Sequence, residues 1–104
     1  EIQKHFTANS EAAVWRERRF GVVLDGEFCS GVFDRVVLWP DRAEIVDFKT
    51  DMVRDAVDVE AAVARHQSQL DWYRRVLAHM TGLPFEYITC HLLFARLPRL
   101  VTMP

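Results

Sequence analysis

Apolar and polar residues change rhythm along this chain, and the changes divide it into strands and one long helix. From Val14 to Leu24 the residues fit a strand, closed by Asp25-Gly26, a pair suited to two-residue hairpin turns. A second strand runs from about Glu27 to Trp39, rich in Val, Phe and Leu, and Pro40-Asp41 then makes a turn. A third, short strand covers about Ala43 to Lys49. Residues 14–49 therefore read as a three-stranded antiparallel meander. The segment before it, to about Ala13, is polar and reads as the tail of a helix or a strap entering the domain.

After a loop from Thr50 to Val57 comes the longest periodic stretch. Val59, Val63, His66, Leu70, Tyr73, Leu77 and Met80 recur at alternating spacings of four and three, one stripe of an amphipathic helix. Asp58 is placed to cap its start, and Gly82 followed by Pro84 to stop it. Glu86 to Ala95 then looks like a strand, and Leu100 to Met103 like a short edge strand. The order is β-β-β-α-β-β, and a helix packed on such a sheet makes a mixed α/β architecture.

At 104 residues the chain is one domain, residues 1–104, and with half its residues hydrophobic it can build a core. It holds no apolar run of the roughly 18–20 residues that a membrane span requires, and Glu1-Ile2-Gln3-Lys4-His5 does not open a signal peptide. Cys29 and Cys90 stand far apart in no metal-binding pattern, which points to a reducing, cytoplasmic setting. The net charge of −2 does not advertise nucleic-acid binding, but eleven arginines against two lysines is lopsided. Arg16, Arg18 and Arg19 cluster, as do Arg74 and Arg75. Arginine pairs bidentately with phosphate, and a solvated charged face accounts for such clusters equally well.

Three charged residues occupy positions where alternation calls for apolar ones. In Gly31-Val32-Phe33-Asp34-Arg35-Val36-Val37-Leu38, alternation places Asp34 on the face of Val32, Val36 and Leu38. In Ile45-Val46-Asp47-Phe48-Lys49, it places Asp47 and Lys49 together on the face of Ile45, about 6.6 Å apart at Cα. A hairpin between the second and third strands brings Asp34 and Asp47 within reach of each other. Two approaching carboxylates repel unless one is protonated or a cation lies between them. Asp34, Asp47 and the main-chain carbonyl of Phe48 offer an oxygen shell suited to Mg²⁺ or Mn²⁺. Lys49 then projects where it can orient water and stabilise a phosphoryl group, its long stem ending in a mobile head. Singly, each of these residues reads as an ordinary surface or turn-bonded group; the combination is what points to chemistry.

The helix carries a second signal. At about 100° per residue, Gln69 falls inside the apolar arc, flanked by Ala62, Val76 and Met80, one turn before Tyr73. Buried polar groups on such a stripe need partners, since leaving one unsatisfied costs roughly 1–3 kcal/mol. By itself His66 reads as a core or interface histidine, and Tyr73 as an amphipathic core tyrosine.

Gly31-Val32-Phe33-Asp34-Arg35-Val36, Ile45-Val46-Asp47-Phe48-Lys49-Thr50-Asp51 and Gln69-Leu70-Asp71-Trp72-Tyr73 resemble, in order and spacing, the successive motifs of RecB-type PD-(D/E)XK nucleases. The stretch from Gln69 to Phe94 looks particularly like AddA-type proteins, and the resemblance extends from about Arg16 to Val101. It implies a restriction-endonuclease-like core with a mixed sheet. It implies that Asp34 and Asp47 bind Mg²⁺ or Mn²⁺, that Lys49 assists the attacking water, and that Gln69 and Tyr73 complete the site. Glu17, in Arg16-Glu17-Arg18-Arg19-Phe20, looks like the family's earlier conserved acid. Such relatives commonly carry a further metal-binding histidine on a helix before the sheet. The sequence has no counterpart of it, since His5 sits in no such context, and it has no helicase motor. The chain is therefore expected to be a fragment of a larger helicase–nuclease, weakly active or inactive alone.

The resemblance implies an Mg²⁺-dependent DNA exonuclease module for double-strand break processing and recombinational repair. The partners it implies are DNA, an upstream helicase motor and a partner helicase–nuclease subunit. The alternative is a nuclease-like fold that no longer cuts and serves as a DNA-binding or scaffold module. A stand-alone relative of the kind that carries a four-cysteine cluster is disfavoured by the presence of two cysteines.

Overall fold

The structure, a computed structural model, describes residues 12–95 and 99–104; the polar opening segment, with Lys4 and His5, lies outside the described residues. Strands β1 (Ala13–Leu24), β2 (Glu27–Leu38) and β3 (Ala43–Lys49) precede helix α1 (Ala56–Thr81). A 3₁₀ turn (Phe85–Tyr87) and strands β4 (Ile88–Phe94) and β5 (Arg99–Thr102) follow it. The five strands form one mixed sheet in the order β1-β2-β3-β4-β5. β3 and β4 are parallel and every other neighbouring pair is antiparallel. A parallel pair cannot be joined by a hairpin, and α1 makes the crossover. No helix among the described residues is long and apolar enough to cross a membrane.

Local chemistry sets the boundaries. Asp25 (φ 54°) and Gly26 (φ 81°) both take the left-handed conformation of the β1–β2 turn. The helix starts earlier than the apolar stripe suggests: Asp55, not Asp58, is the cap, its Oδ1 accepting the N–H of Asp58 at 2.9 Å. Asp58 lies in the first turn and accepts the N–H of Arg54 at 3.0 Å, so the two aspartates satisfy donors on either side of the helix start. At the other end Gly82 (φ 79°) caps the helix by donating to the Ala78 carbonyl. Residues 85–87 form a 3₁₀ turn where alternation suggests strand. The Arg74 guanidinium holds this turn, donating to the carbonyls of Ile88 at 2.9 Å and Phe85 at 3.2 Å.

The core lies between α1 and one face of the sheet. Ala62, Leu70, Tyr73, Val76 and Leu77 of the helix are buried against Phe33, Val36, Ile45, Ile88, Leu92 and Phe94. Val59 and Val63 pack at its margin, whereas Met80 is exposed. Phe20, Phe33, Trp72 and Tyr73 form an aromatic group with centroids 4.7–6.1 Å apart. Gly31 makes room for it: a Cβ there would sit 2.8 Å from Cζ of Phe20. Cys90 is buried beside Leu70, and burial pushes its thiol pKa up to about 12, which leaves it inert.

Strand β2 carries one irregularity. Phe33 and Val36 are both buried although three residues apart, and Val32 is exposed. Asp34 therefore does not share a simple face with Val32. The reversal occurs where the β1–β2 ladder passes from Arg16↔Arg35 to Arg18↔Phe33, omitting Glu17 and Asp34. Glu17 holds φ 48°, a left-handed conformation that costs a non-glycine residue about 1 kcal/mol or more. Both strands turn over at that step, and Asp34 is left between the two faces of the sheet.

Candidate active site

β2 and β3 pair from Leu38↔Ala43 to Arg35↔Val46 and then part. The next step outward would set Asp34 beside Asp47, and the sheet opens there instead. Asp34 uses its side chain in place of the ladder: Oδ2 accepts the Phe48 N–H at 2.8 Å. That bond satisfies a backbone donor freed by the split and holds the Asp34 carboxylate next to β3.

Asp47 keeps the alternation of β3, with Ala43 and Ile45, and so faces the helix; only 4% of it is exposed. Burial holds its carboxyl above the ordinary carboxylate range, Lys49 pulls it back, and the adjoining Asp34 pushes it further up. Lys49, two residues on, lies on the same side, with its ammonium 2.7 Å from Asp47 Oδ2. This close ion pair offsets the cost of burying Oδ2. The ammonium also donates to Gln69 Oε1 at 2.7 Å. The head of Lys49 is thus held between strand and helix rather than mobile.

From α1, Gln69 and Tyr73 reach the same place. They are four residues apart and one turn above each other. Gln69 is exposed at the edge of the buried face rather than inside the core, which lets its amide meet Lys49. Tyr73 is buried to 8% exposure among the aromatic rings. Its hydroxyl pKa is raised by burial first and then by the negative charges of Asp47 and Asp34, with Gln69 lowering it through a hydrogen bond. Asp34, Asp47, Lys49, Gln69 and Tyr73, drawn from three elements, thus form one connected cluster.

Glu17 stands apart from that cluster, on the far side of Asp34. It is exposed, and with Arg16, Asp34, Arg35 and Phe48 it lines a cavity of about 250 Å³. A larger hollow of about 470 Å³ lies against Trp15, Leu38, Trp39, Met80 and Leu83 and has no titratable side chain in its lining.

The loop after Lys49 is pinned to the helix by a group that alternation does not reveal. Nε2 of His66 lies 3.1 Å from both carboxylate oxygens of Asp51, and Arg65 donates to Oδ2 at 2.5 Å. Hydrogen bonding from Arg65 first, then His66, holds the Asp51 carboxyl below its ordinary range. His66 is therefore a half-buried pairing residue that fixes the exit of β3. The arginine clusters also divide. Arg74 is spent on the 3₁₀ turn, Arg75 pairs with Asp25, and Arg18 lies over the Trp15 ring, 4.5 Å from its centroid.

A comparison with curated proteins finds a relative in sequence. Over 76 residues, 70% of this chain, the sequence is 36% identical to an ATP-dependent helicase/nuclease subunit of Limosilactobacillus fermentum. This chain is similar to one short stretch of that protein. It spans about 6% of the relative's length. No family model matches the chain.

Proposed function

We propose that this chain is the metal-dependent nuclease part of a longer DNA-processing protein, built on the PD-(D/E)XK plan and hydrolysing phosphodiester bonds. The observation that carries the reading is the position of the Lys49 ammonium, 2.7 Å from both Asp47 Oδ2 and Gln69 Oε1, beside the Asp34–Asp47 pair. The similar protein is by name one subunit of a helicase/nuclease. That supports DNA as the substrate, with a helicase motor and a second polypeptide as partners.

The donor set fits a hard divalent cation. Among the described residues no three histidine, cysteine or acidic side chains converge on one point. Mg²⁺, however, is commonly held by one or two carboxylates and keeps several waters. Asp34 and Asp47 are two adjoining carboxylates, and Asp47 Oδ2 is a buried oxygen whose charge the Lys49 ammonium offsets from 2.7 Å. These residues would hold Mg²⁺ or Mn²⁺, which when bound supplies charge neutralisation and water activation at a phosphodiester.

The protein's own groups then divide the work. Phosphodiester hydrolysis joins a water oxygen to phosphorus, breaks the opposite P–O bond and transfers a proton to the departing oxygen. Lys49 presents N–H donors where negative charge grows on the phosphoryl oxygens. Gln69 fixes that ammonium so that it need not reorganise during the reaction. Tyr73, locked among Phe20, Phe33 and Trp72, supports Gln69 from the next turn.

The test couples binding to cleavage. Isothermal titration with Mn²⁺ is expected to show binding that Asp47→Asn and Asp34→Asn each remove. In a longer protein that joins this chain to its helicase motor, Mg²⁺-dependent release of acid-soluble nucleotides from labelled linear DNA is expected to disappear in the same variants. Cation binding and DNA degradation that survive both substitutions would overturn the proposal. DNA binding without any metal-dependent cleavage would favour a scaffold module instead.

A further inference from the structure

On the face of the sheet turned away from α1, Arg16 and Arg35 are direct partners across β1 and β2. Cross-strand neighbours stand about 5 Å apart at Cβ, and like charges there are destabilising. Proteins usually relieve such a pair with a carboxylate, and the sequence places one beside each arginine: Glu17 next to Arg16, and Asp34 next to Arg35. Neither is used. Asp34 accepts the Phe48 N–H instead, and Glu17, at its left-handed turn, lines the same cavity without an ion pair to either arginine. Glu44, which shares that outer face, is bonded to Nε2 of His91 at 3.0 Å. Among the described residues neither guanidinium has an ion-pair partner. Both line the cavity of about 250 Å³ whose wall also includes Glu17 and Asp34.

We infer that Arg16 and Arg35 form a phosphate-binding subsite that holds one backbone phosphate of the nucleic-acid strand beside the phosphodiester presented to Asp34 and Asp47. Two adjacent guanidinium forks with no ion-pair partner of their own suit a doubly coordinated phosphate oxygen pair, although Glu17 and Asp34 share the cavity wall. The anion would relieve the repulsion between the two arginines. The position fits a strand rather than an isolated ion. Asp34 shares the cavity with the arginine pair, so the opening of the sheet at Asp34 links this subsite to the acidic cluster on the helix side. Phe48, half exposed at the cavity wall, offers an apolar surface to the intervening sugar or base. Of the arginines singled out by their clustering, Arg16 thereby gains a role, and Arg35 acquires one beyond its place in the Gly-x-x-Asp-Arg motif. This inference rests on the nuclease reading for the direction in which the strand runs, but not for the anion chemistry.

The experiment is fluorescence anisotropy of end-labelled single-stranded DNA with this chain in EDTA, so that no cleavage occurs, across a series of salt concentrations. Arg16→Gln and Arg35→Gln are each expected to weaken binding about tenfold. The double variant is expected to be little weaker than either single, because both arginines serve one phosphate. The slope of log K against log salt should become shallower by about 0.7 in the double variant, the value for one phosphate contact on a single strand. Arg35→Lys should keep the slope while losing affinity, since it retains charge and loses the fork. Thermal melting provides the folding control: removing one of two repelling charges should leave the melting temperature unchanged or raise it.

Unchanged affinity and slope in the double variant would overturn the subsite. If instead inorganic phosphate alone, at matched phosphate concentration, binds in an arginine-dependent manner and the oligonucleotide does not, the strand-binding inference also falls. The nuclease reading fails separately. Arginine-dependent DNA binding without metal-dependent cleavage by the longer protein that carries the helicase motor would support the subsite and sink the activity. Cleavage with the same KM in Arg16→Gln/Arg35→Gln would do the reverse.

Discussion

Oδ2 of Asp47 and the ammonium of Lys49, two residues apart on β3, lie 2.7 Å from each other with side-chain exposures of 6% and 16%. The pair is therefore a buried one, and its two members fail differently when separated. Lys49 is the cation that keeps a desolvated carboxylate tolerable. Its removal leaves Asp47 with burial and the charge of Asp34 pushing its pKa up and nothing pulling it down.

In the longer protein that carries the helicase motor, Lys49→Ala is accordingly expected to reduce Mg²⁺-dependent DNA degradation by about 10² to 10³ while leaving ATP hydrolysis largely intact. It should also cost on the order of 3 kcal/mol of stability near neutral pH, because it strands a buried charge. Lys49→Met, which keeps the apolar stem, should lose the same activity. Near-normal release of acid-soluble nucleotides by either variant would remove Lys49 from the chemistry.

The Asp51 carboxyl gives a prediction in pH. Bonding to Arg65, then to His66, lowers its folded pKa below the ordinary 3.8. An acid whose folded pKa is depressed contributes stability that is present above its unfolded pKa and is lost as pH falls through the folded value. Asp51→Asn should therefore be less stable than the parent chain at pH 6 by about 1 kcal/mol. The two should converge as pH drops below about 3.8 towards the lowered value. Denaturant titrations at a series of pH values measure this; a constant gap down to the lowest pH would contradict it.

Gly31 tests the aromatic cluster that holds Tyr73. A Cβ at that position meets Cζ of Phe20 at 2.8 Å, and Phe20 is itself buried against Phe33, Trp72 and Tyr73. The ring has little room to retreat. Gly31→Ala is expected to cost about 1–3 kcal/mol through overpacking, read as a lower denaturant midpoint with an unchanged slope. No change in midpoint would mean that the ring moves freely.

Glu17 offers a test of strain. At φ 48° any side chain is disfavoured, and glycine is not. Glu17→Gly should therefore be more stable than Glu17→Ala by about 1 kcal/mol, although both lose the carboxylate. Comparing the two in the cleavage assay then separates the acid from the backbone turn. Equal activity losses would assign the effect to the carboxylate, and a loss in Glu17→Gly alone would assign it to the fixed turn between Arg16 and Arg18.

Much of this molecule was legible in one dimension because it depends on short-range periodicity. The β-β-β-α-β-β order, the Asp25-Gly26 turn and the Gly82 stop follow from patterns within a few residues. So does the shared side of Asp47 and Lys49, since alternation alone sets residues i and i+2 on one face. The helical spacing of Gln69 and Tyr73 likewise put both on one stripe. What alternation could not decide was any feature set by contacts distant in sequence. Period two assigned Asp34 to the face of Val32, but the strained turn at Glu17, on another strand, inverts the pattern there and leaves Asp34 in the opening of the sheet. The helix start lay hidden because Asp55 and Asp58 are both good caps, and only the bonds they make distinguish them. Asp51 and His66, fifteen residues apart, and Arg16 and Arg35, nineteen apart, meet only because α1 folds back over β3 and β2 returns along β1. Periodicity places a side chain on its own element; which charges are paired, buried or left unsatisfied is settled by the register and packing between elements.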